Sequence, residues 1–486
     1  MKTDQLRKIV LLAAAFLFAG GGQFYFAHKS DYFSDALVFY GLGIAFFLLA
    51  VRVPAQPSAA SRPATRLTPG LVLRSVPIAA GLLLGLLAVL QLLDPHDNYW
   101  PIFWTWISAA ALYLLGFARR PVWSWRRAPS GGAGQGVRQA GVGALGILSP
   151  WMRGRAPAAA GAPALPAALA TEPLAEWGLV ALLVGGALVL RVWHIDTIPW
   201  TLGGDEGNFG LFARAVLNGE VRNMFVTGHL SMPTMYSFFQ AAWFRLAGDN
   251  TTGLRLPWAV LGTSSVLGAY LLVRRLFGRN LALLTAFLLA TYHFHIHYSR
   301  LGINNISDPL FISWSLYFLV LGWQGKRGWA WAASGMLAGL AFYSYTGSRL
   351  VPIALAAALA WAALLDRDFV PQNRYDLLAM LGGFLVIVGP MALFAFQHPD
   401  DFNARVNQIG ILQSGWLAQA AQTTGQSQAR LLFEQLRRAF LAFNFYRDRM
   451  DFYRPSIPLL DFIASVLFVF GLAYAAARLR PRRGEG

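Results

Sequence analysis

Residues 174–193 read LAEWGLVALLVGGALVLRVW, and residues 202–208 just beyond them read LGGDEGN. The first run is long enough to cross a bilayer. A helix rising about 1.5 Å per residue needs roughly 20 mostly apolar residues to span about 30 Å of hydrocarbon with its backbone groups paired internally. The second run sets two adjacent acids, Asp205 and Glu206, among glycines at the point where that span ends. A span that opens into a glycine-flanked acidic pair predicts an all-α, polytopic membrane protein with its polar chemistry gathered at span ends.

The rest of the chain carries the same signature. Of 486 residues, 56% are hydrophobic and 13% charged, too apolar for ordinary soluble domains of that length. The net charge of +17 does not point to nucleic acid, because the arginines concentrate in short connections and at span ends, as the positive-inside rule describes. The absence of cysteine excludes disulfides and thiolate metal sites. Residues 1–20 have a charged start and an apolar stretch without a clean small-residue cleavage site, and read as a retained first span.

Apolar stretches at 9–27, 36–51, 76–93 and 102–117 form an N-terminal four-helix membrane segment within 1–118. Residues 119–173, rich in Arg, Gly, Ala and Pro, read as a flexible cytoplasmic linker. A core at 174–396 supplies spans at 174–193, 256–273, 281–296, 310–323, 329–345, 350–365 and 377–396. An extracytoplasmic loop at 397–456 follows, and a last span and tail occupy 457–486. The stretch 232–246 is apolar, but counting it as a span would put Arg274, Arg275 and Arg279 outside, so it is laid on the outer membrane surface. The result is about twelve spans with both termini cytoplasmic, in the inner or plasma membrane. No internal repeat is visible.

That orientation puts the polar clusters outside. Asp205 and Glu206 offer a general base within reach of a hydroxyl, or else a solvated loop with a helix cap at Asp205 or Asn208. Arg300, in the run 298–309, stands against the positive-inside rule and suits a phosphate through paired donors; the alternative is an arginine snorkelling to headgroups. Asn304 and Asp308 share a face if the next helix begins early. Tyr345 reads as part of an aromatic belt or as a substrate contact, and Arg349 beside it as a ligand contact. His293 and His297 are at i, i+4, a spacing that holds a divalent metal, or are interfacial histidines bonding locally. In the long loop, Arg405 and a basic amphipathic stretch at 431–445 suit a carrier-lipid phosphate or bulk anionic lipid.

In this order, the features resemble the GT-C superfamily of membrane glycosyltransferases, particularly bacterial relatives of protein O-mannosyltransferases and of the aminoarabinose transferases of lipid A. They are the Asp205-Glu206 pair, the surface stretch 231–248, Gly253-Leu254-Arg255-Leu256-Pro257, Arg274-Arg275-Leu276-Phe277-Gly278 and Ser299-Arg300-Leu301-Gly302. The resemblance covers about 174–396. It implies a polyprenyl-phosphate-linked sugar as donor and transfer to an extracytoplasmic acceptor that the sequence does not name. By the same resemblance Asp205 is the base and Glu206 positions it or the acceptor. Arg300 and Arg349 would stabilise the departing phosphate. The rival expectation is a transporter or flippase of a lipid-linked or anionic substrate, since arginines and broken helices also mark transport paths. Transporters place such groups near the midplane, whereas these lie at span ends.

Overall fold

The computed structural model describes residues 2–29, 32–51, 72–117, 173–228, 231–325, 327–448, 450 and 453–479. Within them the chain is helical, with no β-strand beyond isolated bridges. In chain order the helices are α1 (Lys2–His28), α2 (Phe33–Val51), α3 (Val72–Gln91), α4 (Trp100–Phe117), α5 (Pro173–Val192), α6 (Gly204–Leu217), α7 (Met235–Ala247), α8 (Thr251–Phe277) and α9 (Arg279–Thr291). There follow α10 (His293–Ser299), α11 (Ser307–Gly325), α12 (Gly328–Leu340), α13 (Leu350–Leu365), α14 (Phe369–Gln397), α15 (Pro399–Ile409), α16 (Trp416–Thr424), α17 (Gln428–Leu441) and α18 (Phe462–Leu479).

Among the described residues, eight helical segments are long and apolar enough to cross a membrane, and three shorter apolar helices lie at 75–91, 279–291 and 462–477. The chain is a polytopic membrane protein. Each stretch read as a span from the sequence is helical over most of its length, although α12 is only 13 residues long and the last helix starts at Phe462. The linker expected at 119–173 lies outside the described residues except for Pro173.

The chain forms two compact units, residues 1–58 with 406–486 and residues 59–405. The N-terminal four helices divide between them: α1 and α2 belong to the first unit with the C-terminal helices, and α3 and α4 to the second. In the first unit, α1 packs on α2 and α18 through Ala15, Ala19, Tyr40 and Phe470. Buried amides knit it: Gln23 Nε2 donates to Asn444 O at 3.1 Å, and Asn444 Nδ2 to Ser465 O at 3.2 Å. Helix α17 is capped by Ser427 and leaves Phe433, Leu436 and Phe440 exposed beside Arg437 and Arg438.

In the second unit two prolines explain which side chains hold the helices together. Pro390 in α14 has no N–H for the carbonyl of Val386, one turn back. Trp106 of α4 supplies the missing donor, its Nε1 lying 3.1 Å from Val386 O and 3.2 Å from Ile387 O. Pro257 in α8 likewise leaves Gly253 O unpaired, and Gln240 of α7 meets it through Nε2 at 2.8 Å. Freed carbonyls in membrane helices need such partners. Gly335 lets α12 lie on α14, because a Cβ there would collide with the carbonyl of Met380.

Two local expectations change. The acidic pair does not sit in a bend; it opens the 14-residue helix α6, capped by Gly203 rather than by Asp205 or Asn208. The span expected at 281–296 breaks at Tyr292, whose extended backbone separates α9 from α10.

Candidate active site

Helix α6 turns its first two acids in opposite directions. Asp205 and Asn208 are exposed, whereas Glu206 faces the core. The Glu206 carboxylate receives Arg255 Nε at 2.9 Å and Nη2 at 3.1 Å, the Gly302 N–H at 2.6 Å and the Gly203 N–H at 3.3 Å. The remaining donors of Arg255 reach the carbonyls of Ile195, Pro199 and Thr201, 2.9–3.1 Å away. Both side chains are 1% exposed. This bidentate pair ties the loop after α5, the start of α6, α8 and the 302 turn into one rigid support beneath Asp205.

Arg300 was expected to hold phosphate, and the structure gives it a different occupation. Its guanidinium donates to the carbonyls of Leu190, Trp193, His194 and Ile198, between 2.5 and 3.2 Å, closing the C-terminal end of α5 and the loop behind it. Burial, then the nearby Arg255 charge, lower its basicity. Helix ends leave four carbonyls without partners, and Arg300 meets that need. Arg191 does comparable work one layer deeper, with donors on the carbonyls of Ala187 and Ala290, on Ser299 Oγ at 3.2 Å and on His295 Nδ1 at 2.8 Å.

Arg349 differs from these three. It stacks on Phe402, with Cζ 3.8 Å from the ring centroid, and Nη1 donates to Phe402 O at 3.1 Å. Its Nε and Nη2 are buried without a hydrogen-bond partner. Two further buried oxygens in the same pair of connections have none either, Asn304 Oδ1 and Thr346 Oγ1. An unmet buried group costs about 1–3 kcal/mol, so such a group is a place where a ligand is to be sought.

The groups around Arg349 are the ones the sequence singled out. Asp308 accepts a short hydrogen bond from Ser348 Oγ. Asn304 Nδ2 donates to Ser344 O at 3.2 Å, and Ser307 and Ser344 share a 2.6 Å bond. The Tyr345 phenol bonds Asn305 and lies in the field of Asp308, Arg405 and Asp205. Tyr236 of α7 also feels the Asp205 charge; burial, opposed by a Ser237 hydrogen bond and helped by that charge, holds its phenol above the ordinary value of 10. Gly347 sits where a Cβ would come within 2.8 Å of both Asp308 and Tyr345, so the close approach depends on glycine. Helix α15 delivers Phe402 and Arg405, pinned by Ser231 Oγ on the Arg405 N–H at 2.8 Å and by Thr227 Oγ1 on Asp401 O at 3.3 Å.

Asp205, Asp308 and Arg405 thus all act on the Tyr345 phenol, with Asn304 and Arg349 on the same two connections. The histidine pair stands apart from this group: His293 and His297 share α10, and no cluster of three or more His, Cys, Asp or Glu suited to a metal occurs among the described residues. Sequence reasoning missed Arg191, Tyr236 and the partners of Arg255. Arg191 and Arg255 carried the same signal as Arg300, an arginine at a span end that the charge pattern puts outside.

Residues 231–394, about a third of the chain, match the family described as dolichyl-phosphate-mannose-protein mannosyltransferase. The match supports a GT-C type membrane glycosyltransferase, in the segment that runs from Ser231 to the end of α14. It contains Arg300, Asn304, Asp308, Tyr345 and Arg349, while Asp205 and Glu206 precede it. A curated protein of Aquifex aeolicus (strain VF5), described as uncharacterized, is 33% identical over 109 residues, 22% of this chain. The chain spans about a fifth of the length of that relative. No solved structure matches.

Proposed function

We propose that this protein transfers a sugar from a polyprenyl-phosphate donor to a hydroxyl acceptor at the extracytoplasmic face, with Asp205 as general base. The observation that carries the reading is Arg349, a guanidinium stacked on Phe402 with two buried nitrogens unmet, on the connection whose Tyr345 feels the charge of the exposed Asp205 carboxylate. A lipid-linked phosphate supplies oxygen acceptors for those nitrogens.

In this mechanism the acceptor oxygen gives its proton to the Asp205 carboxylate as it attacks the anomeric carbon. The carbon–oxygen bond to phosphate breaks, the lipid phosphate leaves with the electron pair, and the anomeric configuration inverts. Arg349, with Arg405, meets the negative charge that grows on the leaving phosphate, where preorganised donors act most strongly. Glu206 touches neither reactant; through Arg255 it fixes the first turn of α6 and so the direction of Asp205. Asp308, Asn304, Tyr345 and Asn208 surround the acceptor and the sugar.

Asp205→Asn tests the assignment in reconstituted enzyme supplied with polyprenyl-phosphate sugars. The expected outcome is a fall in transfer of roughly 10²–10⁴-fold, the usual contribution of a general base, with thermal stability unchanged. A fully active Asn variant would end this assignment.

A further inference from the structure

The sequence leaves the N-terminal helices without a role, and α3 and α4 have one to offer. A cavity of about 470 Å³ opens where the end of α3 meets α14 and the 221–226 loop. Its rim carries Asp94, Asn223, Gln397 and His398, and the half-buried rings of Tyr99 and Phe394 stand in its wall, with Phe225 buried behind it. Among the described residues no lysine or arginine lines it.

We propose that this cavity is a second binding site, for a neutral saccharide, distinct from the Arg349 centre. The volume falls within the usual range for small-ligand sites, about 300–1,000 Å³, and suits one or two pyranose rings. Sugars present C–H faces that lie against aromatic rings and hydroxyls that both donate and accept. A carboxylate, two amides and an imidazole match that demand. An anionic ligand would find a carboxylate and no cation, and would pay for its desolvation unaided. Beside the cavity, Gln91 Oε1 is buried without a hydrogen-bond partner.

The position also separates the two sites. Phe225 lines the cavity and its ring packs on Trp106 at 5.7 Å and on Tyr343 at 6.3 Å. Tyr343 is fixed in turn by its hydroxyl, which donates to Ile387 O at 2.9 Å. Tyr345, two residues on, belongs to the Asp205 group. Buried rings, one of them from α4, thus lie between the cavity lining at Phe225 and the connection that carries Tyr345.

The test uses the full chain in phospholipid nanodiscs, which avoids sugar-headed detergents, with saturation-transfer NMR. The probes are methyl α-glucopyranoside and, as an anionic counterpart, gluconate. Saturation should pass to the methyl glucoside, and at least tenfold less to gluconate. Leu93→Trp fills the cavity from a residue 53% exposed, so the fold has room for it, and should remove the signal. Should that variant not fold, the rim variant Asp94→Ala with Gln397→Ala is expected to weaken binding at least tenfold. Asp205→Asn should leave the signal intact, so loss of transfer and loss of this site are read separately. No signal from methyl glucoside, equal signal from gluconate, or an undiminished signal in the filled and rim variants would each overturn the proposal.

Discussion

Arg255 and Arg349 are the same residue type at two span ends of one unit, and their surroundings are opposites. Arg255 has a carboxylate and three carbonyls around it and is sealed from solvent. Arg349 has one carbonyl and an aromatic face, and two of its nitrogens wait. A saturated buried guanidinium is part of the scaffold, because no ligand could bind it without first breaking internal bonds. An unsaturated one is held at a cost that only a missing partner offsets. The difference teaches that position against the positive-inside rule flags an arginine, and the tally of its donors says what it is for.

Substitutions can break that comparison. Arg255→Met should be the most severe for the fold, because it strands Glu206 as a buried, unpaired carboxylate; a loss of about 3–5 kcal/mol is expected in denaturant unfolding of the purified protein. Arg349→Met should act in the reverse sense. Transfer should drop roughly 10²–10³-fold, as when a donor to developing charge is removed, while stability holds or rises, since unmet donors costing about 1–3 kcal/mol each are gone. If both variants lost stability equally, the contrast between the two arginines would be false. A milder probe is Gly347→Ala, which pushes Asp308 and Tyr345 apart by a few tenths of an ångström. It should lower transfer about tenfold with little change in unfolding midpoint, read from initial rates and a thermal melt on the same sample.

Much of this architecture is legible in the sequence because the bilayer imposes it. Runs of about 20 apolar residues announce α5 and α14, and charge parity keeps 232–246 from being counted as a span, where the structure has the 13-residue helix α7. Helix α6 escaped because glycines flank its acidic pair and a solvated loop was the alternative there; it forms since Glu206, Phe209 and Ala213 share a buried face, which depends on Arg255 lying 49 positions away. The partners of Arg300 were out of reach for the same reason. Its carbonyl partners sit more than 100 residues upstream, beyond any local pattern. Asp308, Tyr345 and Arg349 could be grouped from the sequence because they lie on two short connections that the fold brings together, as the Ser348 hydrogen bond to Asp308 shows.

The two ion pairs of α8 have a mechanical consequence. Near one end Arg255 grips Glu206 and the loop after α5; near the other, Arg274 Nε and Nη2 hold Glu176, at the start of α5, at 2.5 and 3.0 Å. Between the two arginines α8 rises about 28 Å at 1.5 Å per residue, close to the thickness of a bilayer's hydrocarbon. The pair of helices is thus a strut pinned at both ends, and neither can slide along the other. In a thinner or thicker membrane the lipid must deform or the whole strut must tilt, at fractions of a kcal/mol per ångström, and the carboxylate of Asp205 keeps its height above α5 throughout.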